Sequence, residues 1–141
     1  MGAEPWTYFV PYQKDFQQAL EELREQEFAA GRYFPVNDAS FQEDFGENPA
    51  SIVEARELAD ADGTRSILDI DRVGDEADYG VVRRLTEKEV AAYFGTKEPT
   101  RDAVEANSDF FEDIERGQGV CFAVYKDGAP SELVFAGYSY D

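Results

Sequence analysis

Hydrophobic and polar positions divide the chain into short blocks, each with a period of its own. Trp6-Thr7-Tyr8-Phe9-Val10-Pro11-Tyr12 is rich in β-branched and aromatic residues and predicts an opening strand, placed at a sheet edge by Pro11. From Asp15 to Ala30 the period changes to that of a helix: Phe16, Ala19, Leu20 and Leu23 share one side, and Gly31 supplies the stop. The stretch from Arg32 to Glu47 has no period and contains Pro35, Asn37, Asp38 and Gly46, so it is expected to be a long connection. Asn48-Pro49 resembles an N-cap followed by proline at the first helical position, which predicts a helix with Ile52, Ala55, Leu58 and Ala59 inward, ending before Gly63.

The apolar run Ser66-Ile67-Leu68-Asp69-Ile70 predicts a strand, Val73 to Asp78 a polar turn, and Tyr79 to Leu85 a second strand. Thr86 and Glu89 then form a capping box, with Leu85 and Val90 spaced as a hydrophobic staple, and Gly95 stops that helix after Phe94. Thr100 is expected to cap a longer helix reaching Arg116. Two apolar runs, Val120 to Tyr125 and Leu133 to Tyr138, flank Asp127-Gly128 and predict a hairpin. The resulting order is β-α-α-β-β-α-α-β-β, without regular βαβ alternation. It predicts one α+β domain over residues 1–141, a mainly antiparallel sheet with about four helices packed on one of its faces.

Composition agrees with a folded core, since 43% of the 141 residues are hydrophobic and 14% aromatic. Charge narrows the chemistry further. Thirty-one Asp and Glu stand against thirteen Lys and Arg with no histidine, a formal net charge of −18. Such a field repels phosphate backbones and anionic lipid, so direct nucleic-acid or membrane binding is not expected. Missing histidine removes the commonest general base and metal ligand. No run approaches the ~20 apolar residues of a membrane helix. One cysteine, Cys121, leaves no internal disulfide framework. Together with a start that lacks a signal-like apolar core, this leads to the expectation of a cytoplasmic protein. Arginine outnumbers lysine nine to four, which fits either a GC-rich genome or salt adaptation.

The opening W-T-Y-F-V-P-Y, A-L-E-E-L-R-E-Q-E-F-A-A-G-R-Y, D-G-T-R-S-I-L-D-I, F-G-T-K-E-P-T-R and the closing V-Y-K-D-G-x-P together resemble a group of small actinobacterial proteins of about this length. The group has no assigned activity. The resemblance implies an intracellular bacterial single-domain protein and carries over no catalytic residue.

Four features invite a functional reading. Asp60, Asp62 and Gly63, with Asp69 further on, partly match a calcium-binding EF-hand loop, but Leu58 stands where the first ligand is needed and Arg65 where an aliphatic residue belongs. A helix end turning into a strand explains the segment better, so no metal and no cofactor are expected. Cys121 has no histidine to activate it and reads as core. Glu27 falls in the apolar face of the first helix and Asn107 in that of the Thr100–Arg116 helix. Either is a satisfied structural polar group, Glu27 through Arg24, Arg32, Arg56 or water, or a group in a binding pocket. Finally, Asp102, Glu105, Asp109, Glu112 and Asp113 lie on the outward side of that long helix. They form either a solvated face or a surface for a basic protein partner.

Two functions follow. The leading one is a non-enzymatic acidic interaction protein of the immunity or inhibitor type, which binds a basic protein partner through Asp102, Glu105, Asp109, Glu112 and Asp113. The alternative is a small-molecule-binding domain or histidine-free enzyme with a pocket around Glu27 and Asn107. No catalytic residue is assigned, and the oligomeric state stays open.

Overall fold

The C-terminal hairpin organises the fold. In the computed structural model, which describes residues 3–38, 41 and 47–140, β4 (Gly119–Lys126) and β5 (Ala129–Tyr138) pair antiparallel and are joined by Asp127 and Gly128 alone. Both turn residues have positive φ, 53° and 79°, as the two-residue turn that matches strand twist requires. The first strand, β1 (Pro5–Pro11), pairs antiparallel with β5 from Pro5 opposite Tyr138 to Pro11 opposite Glu132. Two short strands complete the sheet, β2 (Arg72–Gly74) and β3 (Val81–Arg84), and the order is β1-β5-β4-β3-β2. The long pairings are antiparallel, whereas β4–β3 and β3–β2 are parallel. The strand at one edge is therefore β1, bracketed by prolines as expected.

Helices cover both faces of this sheet, not one. Along β5, Leu133 and Phe135 enter one core while Val134 and Ala136 enter the other, following the two-residue alternation of a strand. The first face carries α1 (Phe16–Ala30), capped by Asp15 and stopped by Gly31 at φ 70°, and α2 (Ile52–Ala59). The second face carries α3 (Glu87–Phe94), α4 (Arg101–Ala106) and a 3-10 segment, Asp109–Asp113. Apolar side chains occur on both sides of β4 and β5, so each side needs a cover. On the first face Trp6 lies across Gly137 and Gly119, where an added Cβ would come within 2.6 Å and 2.8 Å of the indole.

Four local expectations are corrected. The cap of α2 is Ser51, three residues beyond Asn48; its Oγ accepts from Glu54 N–H at 3.2 Å, and the Glu54 carboxylate accepts from Ala50 N–H at 2.8 Å. This S-x-x-E spacing is a stronger start signal than Asn-Pro. Ile67–Asp69 forms a 3-10 turn instead of a strand, because Ser66 Oγ and the Asp69 carboxylate capture nearby backbone N–H groups. The second strand in the sequence comes later, at Arg72–Gly74, overlapping the start of the expected turn. The helix starting at Thr100 ends at Ala106, since Asn107 adopts φ −130° and ψ 108°. The connection expected over 32–47 falls partly outside the described residues. The capping box at Thr86 and Glu89, by contrast, is complete. Among the described residues no helix is long and apolar enough to cross a membrane.

Candidate functional site

The break at Asn107 sets the course of a segment that borders an extended recess. Asn107 Nδ2 donates to the Tyr93 carbonyl at 2.8 Å and its Oδ1 accepts from Asp109 N–H at 2.9 Å. The side chain thus fastens the end of α4 to α3 and turns the backbone into the 3-10 segment. Phe110 points inward and meets Phe94, Phe111 and Phe122 at ring-centre distances of 5.8, 4.7 and 5.8 Å. Phe111 stays half-buried and makes an edge contact with Tyr138 at 5.5 Å.

Three adjoining hollows follow this segment along the β1 side of the sheet. One of about 690 Å³ is lined by Tyr79, Phe111, Glu112, Ile114, Glu115 and Tyr138, among others. The second, about 440 Å³, shares Phe111, Glu112 and Tyr138 with it and adds Pro5, Thr7 and Asp109. The third, about 410 Å³, continues from Thr7 and Phe111 to Phe9 and Glu105. Together they form a groove with an aromatic floor and carboxylates along one wall. Arg101 marks its far end, with its guanidinium 4.2 Å from the centre of the Phe9 ring and bonded to Glu105 at 2.7 Å and Glu132 at 3.2 Å.

The acidic residues singled out in the sequence are all exposed, but they do not form one helical stripe. Asp102 and Glu105 stand on α4, while Asp109, Glu112 and Asp113 stand on the 3-10 segment beyond the break. Glu105, Asp109 and Glu112 line the groove. Asp102 borders a separate recess beside Lys126 and Glu132, and Asp113 accepts the Tyr93 hydroxyl hydrogen bond. Burial and this acceptor push the Tyr93 hydroxyl up to about 12. Asp102, Asp109, Glu112 and Glu115 take part in no ion pair among the described residues. Meanwhile Arg32, Arg56, Arg83, Arg84, Lys97 and Arg101 are each held by a carboxylate of the same chain.

Neither family models, curated proteins nor solved structures match this chain. The reading of its sites therefore rests on its own residues.

Glu27 and Asn107 lie on opposite sides of the sheet, so no single pocket contains both. Glu27 is buried on the inner side of α1, and Arg32 wraps it with Nε 3.0 Å from each carboxylate oxygen and Nη2 2.5 Å from Oε2. Gly31 makes this possible by reversing the chain immediately after the helix. Asn107 is occupied by its two backbone partners. Cys121 is fully buried, and desolvation pushes its thiol up to about 12, which leaves no thiolate for nucleophilic chemistry near neutral pH.

The EF-hand resemblance dissolves in three dimensions. Asp60 and Asp62 face solvent, whereas Asp69 turns inward to accept the Thr64 backbone N–H and hydroxyl, both at 2.8 Å. Among the described residues no group of three His, Cys, Asp or Glu is placed to hold a metal ion. From the sequence Asp69 was legible only as a residue of an expected strand and the distal carboxylate of the partial EF-hand match. Its burial depends on Tyr140, seventy-one residues later, and on Gly63, neither of which signals a site in the sequence.

Proposed function

We propose that this protein is an acidic, non-enzymatic interaction protein, and that the groove beside the 3-10 segment receives a basic segment of a protein partner. One observation supports this most directly. An aromatic floor of Phe9, Phe111 and Tyr138 runs beside Asp109, Glu112 and Glu115, with Arg116 also in the lining; none of these three carboxylates takes part in an ion pair among the described residues. Lys and Arg stems would cover the rings while their charged ends meet the carboxylates. The net charge of −18 would add steering at long range, and the paired arginines elsewhere leave this wall as a place where new cations gain most. The reading fits a cytoplasmic location and involves neither nucleic acid nor lipid.

The test uses two synthetic peptides of equal charge, one of alternating Arg and Phe and one of Arg and Ser, titrated at low and moderate salt. The Arg-Phe peptide is expected to bind more tightly, with both affinities falling as salt screens the charges. Replacing Asp109 and Glu112 by Lys should slow association, whereas replacing Glu21 and Glu25 on α1 by Lys should not. Equal binding of both peptides, or equal losses in the two double variants, would reduce recognition to the overall field and dismiss the groove.

A further inference from the structure

On the other face of the sheet, the end of the molecule formed by α2 and the C-terminal tail contains a second recess of a different kind. It is a crevice of about 320 Å³, with Arg56, Asp60, Gly63, Asp69 and Tyr140 in its lining. Its innermost group is the Asp69 carboxylate. Asp69 is 2% exposed, and Oδ1 is satisfied by Thr64 N–H and the Thr64 hydroxyl. Oδ2 is also buried but has no hydrogen-bond partner. A buried carboxylate oxygen without a donor is costly, and such orphans are rare enough to require a reason.

Backbone and ring pack closely on this oxygen at the base of the crevice. A Cβ on Gly63 would stand 2.8 Å from Oδ2 and 3.0 Å from Tyr140 Cδ2, so only glycine lets the chain pass this close to the carboxylate. Gly63 also has a φ of 73°, and the chain reverses there. Tyr140 is held over the crevice by the tail. Ser139 N–H donates to the Glu4 carbonyl at 2.9 Å, and Gly117 N–H donates to the Ser139 carbonyl at 3.2 Å. Tyr79 stacks on Tyr140 at 6.3 Å, which completes an aromatic wall. The cation in its lining, Arg56, is already committed, because it bonds to Asp71.

The crevice therefore has a carboxylate oxygen without a donor at its base, the Tyr140 ring, stacked by Tyr79, at one side and further carboxylates, Glu57 and Asp60, in its lining. A divalent metal would need several fixed oxygens, and the described residues bring no such set together. An anion would meet Asp69, Glu57 and Asp60 with only a neutralised guanidinium in its favour. A compact donor of positive charge on an apolar stem satisfies every group: N–H to Oδ2, and the stem against the tyrosines.

We propose that the Asp69–Tyr140 crevice is a binding site for a primary alkylammonium group. The group is carried either by a free small amine or by a lysine side chain of a polypeptide. The crevice shares no carboxylate with the groove, and the stacked rings of Tyr79 and Tyr140 stand between the two.

The test is an amide chemical-shift titration of the full chain with propylammonium chloride, against tetramethylammonium chloride and sodium chloride at matched ionic strength. Propylammonium is expected to give saturating shifts centred on Gly63, Thr64, Asp69 and Tyr140. Tetramethylammonium, which has no N–H, should not. Asp69→Asn should weaken binding by about tenfold or more, the loss expected from one charge-assisted hydrogen bond. Asp62→Asn, which removes an exposed charge next to the crevice, should leave it unchanged. A parallel titration with N-acetyl-lysine amide separates the two sources: tighter binding than propylammonium assigns the site to lysine side chains, weaker binding to free amines. Equal shifts with all three salts, shifts centred elsewhere, or equal losses in both variants would overturn the proposal. The mapping on the unaltered chain decides the matter even if Asp69→Asn does not fold.

Discussion

Glu27 and Asp69 are both carboxylates buried against the same face of the sheet, 5% and 2% exposed. Their environments differ in one respect. Glu27 has Arg32 five residues along the chain, so its charge is cancelled by a guanidinium whose other side reaches solvent. Asp69 has only neutral donors: Thr64 N–H and hydroxyl bond one oxygen, and among the described residues no well-formed hydrogen bond reaches the other. Burial accordingly raises the Asp69 carboxyl above the usual range, with the Thr64 bonds, Arg56 and the Arg65 backbone N–H opposing. A charge inside an apolar stripe is thus no guide to function by itself. What matters is whether the fold supplies its partner, and here it supplies one for Glu27 and leaves Asp69 incomplete.

The largest effect is expected from breaking the completed pair. Arg32→Met would leave Glu27 buried without its cation and should destabilise the fold more than any of the changes below, although the exposed guanidinium moderates the loss. Urea unfolding would measure this. A loss below about 1 kcal/mol would mean that Glu27 reaches water, and the contrast with Asp69 would fail.

A smaller loss should follow from weakening the half-complete site. Thr64→Val keeps the backbone donor to Asp69 but removes the hydroxyl, which also meets Ser66 Oγ at 2.8 Å. The expected cost is about 1–2 kcal/mol. A variant as stable as the parent would show that the hydroxyl adds nothing to the backbone N–H in holding Asp69.

How far each carboxylate could be read from the sequence follows from the same contrast. Glu27 was conspicuous because the interaction that explains it is local: a helix period, a glycine stop and an arginine just beyond. The capping box at Thr86 and the turn at Asp127-Gly128 are local in the same sense, and both formed as expected. The failures are places where short-range polar bonds compete with an apolar run. Ser66 and Asp69 bend Ile67–Asp69 into a turn although three apolar residues there favour a strand, and Asn107 ends a helix whose apolar period continues. The groove was half legible. Its acidic wall was in view, but its floor joins Phe9 and Tyr138 from strands distant in sequence. Asp69 gave no signal, because its incompleteness arises only when Tyr140 closes over Gly63.

Stability should also respond to pH in a way that separates the two kinds of environment. The folded chain raises the Asp69 carboxyl, so its contribution is fully present below the ordinary carboxylate range and is lost as pH rises through the raised value. Tyr8, Tyr140 and Arg56 are the other titratable groups whose charges act on Asp69. Asp69→Asn removes this dependence. The variant should therefore gain on the parent as pH rises above about 4, by about 1.4 kcal/mol for each unit by which the group is raised. A constant difference between the two across that range would mean that Asp69 ionises as freely when folded as when unfolded.

The smallest expected change is of opposite sign and belongs to Glu89, on the other face of the sheet. Its oxygens meet Arg83 Nη1 and Nη2, each at 2.8 Å, and one also accepts the Thr86 N–H of the capping box. The guanidinium is the main reason that Glu89 is pulled down to about 2. A depressed carboxyl stabilises the fold above its unfolded value, near 4.3, and this contribution is lost as pH falls towards the folded value. Solvent reaches part of the pair, so the effect is expected to be modest. Glu89→Gln keeps the hydrogen bond to Thr86 while removing the charge, and should flatten the stability profile between about pH 5 and pH 3 without disturbing α3. Urea midpoints across that interval would test it. If the profile of the variant follows that of the parent, the acid sensitivity lies with other carboxylates, and the Arg83 pair is positional more than energetic.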